Sequence, residues 1–184
     1  MSQTETLYTT LNAELFAQLS EIKLLVCDVD GVFSDGRIYL GNDGEELKAF
    51  HTRDGYGVKA LINSGVDVAV ITGRDSAIVK NRMTALNVKH IIQGQEDKAT
   101  AMAQLCEMLN LAPSEVAAIG DDMPDLGMYR FAETKIAVKD AHPAVTREAN
   151  WITTKNGGFG AVREVCDVIL QALGTLDTIH GASV

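Results

Sequence analysis

Asp28 and Asp30 stand two residues apart at the end of an apolar run, residues 22–27, and Gly31 follows them. An apolar run bounded in this way reads as a buried strand of a parallel sheet. Side chains alternate along an extended segment, so both aspartates are expected to point the same way. Two neighbouring carboxylates repel, and stability alone gives no reason to pair them. A shared proton, a basic partner or a metal cation must compensate. Taken alone, the pair also reads as a polar strand-to-loop transition with Asp30-Gly31 as its turn. Three later stretches carry matching chemistry. Thr72 follows Val70-Ile71 and offers a hydroxyl at a second strand end. Lys98 opens a helical stretch, where a cation opposes the helix dipole and so answers a nearby negative charge. Gly120-Asp121-Asp122-Met123-Pro124-Asp125 sets three more carboxylates after another apolar run. Singly, these are a turn hydroxyl, a solvated lysine and a capped loop. If one sheet gathers them, several carboxylates meet one lysine and one hydroxyl. Hard oxygen ligands with room for water suit Mg²⁺.

The elements that must do the gathering alternate between strand and helix. Leu11, Leu15, Phe16 and Leu19 are spaced as one face of a helix before the first strand. Residues 37–40 and 45–51 flank Gly41-Asn42-Asp43-Gly44 and read as a β-hairpin within 37–52. Asp54 is expected to cap a helix that runs to about residue 63 and stops at Gly65. Residues 66–71 form the second core strand. Asp75 opens a helix with Ile78, Val79, Met83 and Leu86 on its apolar positions, and 90–92 is a short strand. Asp97 caps a helix over 98–109. Strands follow at 116–119, 135–138 and 151–153, with a short helix after Asp125 and another opening at His142-Pro143. A last helix covers about 161–173, and 174–184 reads as a loose tail. Repeated strand–helix pairs predict an α/β fold, a doubly wound, Rossmann-like parallel sheet in a single domain over 1–184. Ligands of such sheets bind at the strand ends.

Bulk properties narrow the partners. At 184 residues the chain can bury a sizeable core, and its 46% hydrophobic and 22% charged residues are ordinary for a globular protein. A net charge of −9 argues against nucleic acid and against an anionic membrane surface. No apolar run approaches the roughly 20 residues of a membrane span. Residues 1–10 are polar and lack the regions of a signal peptide. Cys27, Cys106 and Cys166 are scattered and odd in number, which suits a reducing cytosol rather than disulfides or zinc. A cytoplasmic location is therefore expected. Cys27 should face away from Asp28, into the core.

The ordered set Asp28-Val29-Asp30-Gly31, Thr72, Lys98 and Gly120-Asp121-Asp122-x-x-Asp125 resembles the four motifs of the haloacid dehalogenase superfamily of phosphatases. Further stretches narrow the likeness to the sugar-acid phosphate phosphatases of bacterial lipopolysaccharide synthesis. They are residues 30–36, 44–50 (Gly-Glu-Glu-Leu-Lys-Ala-Phe), Arg53-Asp54-Gly55-Tyr56-Gly57 and 160–167, and the likeness spans about 22–173. It implies that Asp28 is the nucleophile that forms an aspartyl phosphate. Asp30 is then the acid that protonates the leaving alkoxide and the base that activates water. It implies Mg²⁺ held by the Asp28 and Asp121 carboxylates and the Asp30 carbonyl. Thr72 and Lys98 hold phosphoryl oxygens, while Asp125 and Asp122 stand behind them. His51, Thr52, Arg53, Asp54, Gly55, Lys59, Arg74 and Arg82, with Asp30 and Lys98, are the implied substrate contacts. Lys59 replaces an expected arginine, losing the planar fork, and His51 replaces an expected asparagine. A phosphatase of another nonulosonic or sialic acid phosphate is the nearest alternative. A receiver domain also combines acids, threonine and lysine on a parallel sheet, but it carries its acceptor aspartate after a later strand. A non-catalytic subunit with a vestigial site is a third. The superfamily's cap domains have no room here, since only the hairpin separates Gly31 from Asp54, and one helix and one short strand separate Thr72 from Lys98. Apolar Ile38, Tyr39, Leu40, Leu47 and Phe50 exceed what a lone ribbon buries, so hairpins of several subunits are expected to pair. The resemblance implies a tetramer whose sites are roofed by neighbours and reached by the tail after Gly174.

Overall fold

In the computed structural model, which describes residues 2–184, the polar N-terminal stretch pairs with itself. β1 (Gln3–Glu5) and β2 (Thr10–Asn12) form an antiparallel hairpin that sequence patterning did not suggest. Met1, the first residue of that stretch, lies outside the described residues. Leu11 belongs to β2, so α1 (Ala13–Leu19) starts later than its apolar spacing implies, behind an Asn12 cap that accepts from the Glu14 amide. β3 (Leu24–Cys27) follows with every residue buried.

The hairpin is smaller than expected: β4 (Tyr39–Leu40) and β5 (Glu46–Leu47) pair over two residues each. α2 (Thr52–Asn63) comes next. Its cap is His51, whose Nδ1 accepts from the Arg53 amide at 3.1 Å. Asp54 sits inside the first turn instead, turned towards another helix. β6 (Asp67–Ile71) leads to α3 (Ala77–Ala85), which Ser76 rather than Asp75 precedes. β7 (His90–Ile92) and α4 (Lys98–Met108) follow, and Asp97 caps α4 through the Thr100 amide and hydroxyl. β8 (Val116–Gly120), α5 (Leu126–Tyr129), β9 (Thr134–Ala137), α6 (Pro143–Glu148), β10 (Trp151–Ile152) and α7 (Ala161–Ala172) complete the order.

The six core strands are all parallel, in the order β10-β9-β8-β3-β6-β7. The strand before Asp28 thus lies between the strands that precede Thr72 and Asp121. Cys27 pairs with Val70 on one side and Ile119 on the other, so three chains leave the sheet at one edge. The period of two splits the core. Leu25 and Cys27 join the layer of α2 and α7; Leu24 and Val26 join that of α4 and α5. Each of those leucines is wholly buried, which favours folding by about 1.5–3 kcal/mol apiece. The three cysteines are free and buried, Cys27 in the core as expected.

The tail is not loose. Leu176 and Ile179 pack against the core, and Asn63 Nδ2 donates to the His180 carbonyl at 2.8 Å. Arg82 Nη1 donates to the Val184 carbonyl at 2.6 Å. A β-carbon on Gly181 would fall 2.1 Å from the Tyr56 carbonyl, so only glycine lets the tail lie this close to α2. No cap domain stands over the sheet edge among the described residues, and none of their helices is long and apolar enough to cross a membrane.

Candidate active site

β3 ends at Cys27, and the chain then winds into a turn in which the Val29 carbonyl accepts from the amides of Val32, Phe33 and Ser34. Strand alternation therefore stops before Asp28, yet the turn returns Asp30 to the same cleft. Gly31 makes this possible. Its φ is +92°, and a β-carbon there would sit 2.0 Å from Asp121 Oδ2. From behind, Gly157 approaches so closely that its own β-carbon would meet the Gly31 carbonyl.

Lys98 crosses from the first turn of α4 to tie two strand ends together. Its Nζ donates to Asp28 Oδ1 at 2.7 Å and to Asp125 Oδ1 at 2.6 Å, and the residue is only 4% exposed. The other oxygen of Asp125 accepts from the amides of Asp121 and Asp122, at 2.8 and 3.1 Å. Asp125 is thus fully engaged in holding Lys98 and the loop after β8. Burial pulls the Lys98 ammonium down, but the charges of Asp28 and Asp125 outweigh it and hold it above its ordinary range. Burial and the Asp125 charge push the Asp28 carboxyl up, against the pull of Lys98. Burial, Asp28 and Asp125 push Asp121 up further. One ammonium does not neutralise three clustered carboxylates.

A cation fits this cluster. Asp28, Asp121 and Asp125 offer oxygens within 4.8 Å of one another, and Asp121 Oδ1 is buried without a hydrogen-bond partner. With Asp125 engaged, Asp28 and Asp121 are the side chains left to ligate a hard ion such as Mg²⁺. The cleft over them, of ≈330 Å³, is lined by six carboxylates (Asp28, Asp30, Glu96, Asp121, Asp122, Asp125) against two cations, Arg74 and Lys98. An anionic ligand would meet net repulsion there until a cation entered.

Thr72 lines the cleft, buried at the end of β6 as expected, and Asp122 stands at the mouth, accepting from the Met123 amide. Arg74 also lines it, with Nη2 donating to Glu46 Oε2 at 2.7 Å. The other expected substrate contacts lie elsewhere. His51, Thr52, Arg53, Gly55 and Lys59 are on or beside α2, and Arg82 on α3 holds the tail; none lines the cleft. Asp54 is buried against α7, where its Oδ1 accepts from the Arg163 amide at 2.8 Å and Oδ2 has no partner. That burial pushes its carboxyl up to about 7. Sequence reasoning missed Lys48, whose Nζ donates to Asp30 Oδ1 at 2.8 Å, and also Glu46 and Glu96. The sequence carried no clear signal for Lys48: only the structure shows that Leu47 points outward, 62% exposed, while Lys48, just after β5, turns in towards Asp30.

Comparison with known proteins agrees with this geometry. The haloacid dehalogenase-like hydrolase family matches residues 90–165. The chain is 46% identical to the 3-deoxy-D-manno-octulosonate 8-phosphate phosphatase KdsC of Escherichia coli (strain K12), over 97% of this chain and 95% of that one. The crystal structure of the Yersinia pestis phosphatase of the same name superposes with a TM-score of 0.96 at 45% identity, covering 100% of this chain and 99% of the other. That of Moraxella catarrhalis, in complex with magnesium ion, phosphate ion and KDO, superposes at 0.87 with 46% identity, over 89% and 94% of the two chains. At 46% identity over nearly its whole length, and with a superposable fold, the chain belongs to the 3-deoxy-D-manno-octulosonate 8-phosphate phosphatases of the haloacid dehalogenase-like hydrolases.

Proposed function

We propose that the protein hydrolyses 3-deoxy-D-manno-octulosonate 8-phosphate to the free sugar acid and phosphate in lipopolysaccharide synthesis, with Mg²⁺ as cofactor, in the cytoplasm. The observation that carries the reading is the buried Asp28–Lys98–Asp125 bridge beside the unpartnered Asp121 oxygen. Asp28, Asp121 and the Asp30 carbonyl would hold Mg²⁺, which would supply the positive charge that offsets repulsion between the cleft carboxylates and the phosphoryl oxygens. The Asp28 carboxylate attacks phosphorus while the bond to the sugar oxygen breaks. Asp30 delivers its proton to that oxygen, so the sugar leaves as an alcohol. Asp30, now a carboxylate, takes a proton from the water that attacks the aspartyl phosphate, and Asp28 is released with inorganic phosphate. The Thr72 hydroxyl and Lys98 hold phosphoryl oxygens throughout. In a turnover screen, acidic sugar phosphates are expected to be preferred, with the octulosonate ester first and other nonulosonic acid phosphates slower. Excess chelator should stop turnover. Preference for a neutral hexose phosphate, or full activity in chelator, would overturn the reading.

We further propose a homotetramer. Tyr39, Leu40 and Leu47 are 55%, 72% and 62% exposed on a ribbon too short to be stable alone. Most residues expected to contact the sugar, among them His51, Arg53, Lys59 and Arg82, lie outside the cleft of their own chain, which favours sites completed by a neighbour. Leu40→Glu with Leu47→Glu should give monomers by light scattering and lower kcat/KM for the sugar-acid phosphate about tenfold or more. A tenfold fall corresponds to ~1.4 kcal/mol of transition-state stabilisation, the share a neighbour's side chains would supply. A monomer with undiminished kcat/KM would rule out the shared site.

A further inference from the structure

Asp30 must do two things in the proposed reaction, and both need one of its oxygens aimed at the reacting oxygen atom. Its carboxylate hangs from a turn and is one-fifth exposed, so nothing in the turn itself fixes the rotation of the group. The fixing contact comes from the hairpin. The Lys48 side chain is fully buried (0% exposed), and Nζ reaches Asp30 Oδ1 at 2.8 Å. Glu46 Oε1 faces the same ammonium at 3.3 Å without a hydrogen bond, and Glu46 Oε2 accepts from Arg74. Arg74, Glu46, Lys48 and Asp30 thus form one chain of alternating charge from the rim of the cleft to its floor. A lysine gives up side-chain freedom and hydration to be buried so completely. A hairpin that needed only solubility would leave that ammonium in water.

We infer that Lys48 is a positioning residue for Asp30: its ammonium holds Oδ1, so that Oδ2 is the oxygen presented first to the ester and then to water. This rests on the functional reading above. Lys48 touches no phosphoryl group in this role. Its loss should therefore slow both half-reactions and leave phosphate binding alone.

The test is a double-mutant cycle on the full-length protein, comparing Lys48→Met, Asp30→Asn and the double variant with the wild type. Turnover of the sugar-acid phosphate and inhibition by inorganic phosphate are measured. Lys48→Met is expected to lower kcat about 10- to 100-fold, a part of what a positioned acid–base group supplies. KM and the phosphate inhibition constant should stay within about twofold. In the Asp30→Asn background the same change should add less than about twofold. Lys48→Gln, which can still donate to Oδ1, should fall between Met and wild type; it also carries the cycle if Lys48→Met does not fold. A kcat loss of full size in the Asp30→Asn background, or a near wild-type kcat in the folded variants, would overturn the inference. Failure of the functional reading has a different signature: a wild type without sugar-acid phosphatase activity, or Asp30→Asn as fast as wild type.

Discussion

Asp28→Asn is expected to fold normally and to lose turnover by about 10⁴-fold or more. An amide oxygen is a poor nucleophile, and the aspartyl phosphate cannot form on it. It is also a weaker ligand for a hard cation than a carboxylate. Stability should not suffer, because the native carboxyl is itself disfavoured. Burial and the neighbouring Asp125 push it up, and only Lys98 offsets them. The asparagine keeps an oxygen that can accept from Lys98 where Oδ1 does, at 2.7 Å in the native site. The measurement pairs circular dichroism and melting with acid-quenched trapping of labelled phosphoenzyme. The variant should match the wild-type fold, trap no phosphate and release none. Turnover near the wild-type rate would remove Asp28 from the chemistry altogether.

The second large effect is on stability as well as rate. Lys98→Met should strip the compensation from Asp28 and Asp125, which are 7% and 1% exposed. Removing one partner of a buried ion pair costs about 3–5 kcal/mol, because the charge left behind is unpaired. For a domain of this size that is a melting shift of roughly 10 °C. Turnover should fall about 10²- to 10³-fold with the loss of one donor to the phosphoryl oxygens. Added Mg²⁺ should recover part of the melting temperature, since it binds the folded state, but not the rate. A melting temperature within a degree or two of wild type would mean that Lys98 compensates nothing.

How much of this was legible in the sequence differs by residue, for physical reasons. The strand ends could be read because fully buried parallel strands are continuous apolar runs, and Asp28, Thr72 and Asp121 interrupt them abruptly. Lys98 could be read because its place in the first helical turn is locally unfavourable. Asp97 was recognisable as a cap by type, and it is one. His51 was not, since histidine rarely caps and Asp54, three residues on, has the better local preference. The tail followed no period, and its order comes from Leu176, Ile179 and contacts with α2 that only the folded chain supplies. Arg82 illustrates the same limit: a charge on a helix says nothing about whether it meets a ligand or its own chain.

The position of β3 has a consequence for how the protein is made. Leu24 and Cys27 pair with Val116 and Ile119, so the central strand waits for a partner that lies half a chain away. Such non-local pairing slows folding, because the intervening loop must close before the contact rewards it. On the ribosome, a nascent chain cut before residue 116 holds β3 with only β6 beside it, its other edge unpaired and Asp28 without the loop that carries Asp125. Neither the middle of the sheet nor the acidic cluster around Asp28 can therefore be completed before the stretch from Val116 to Asp125 has emerged. Until then the emerging chain carries an apolar strand with an open edge, the feature that holdase chaperones recognise and that aggregation exploits.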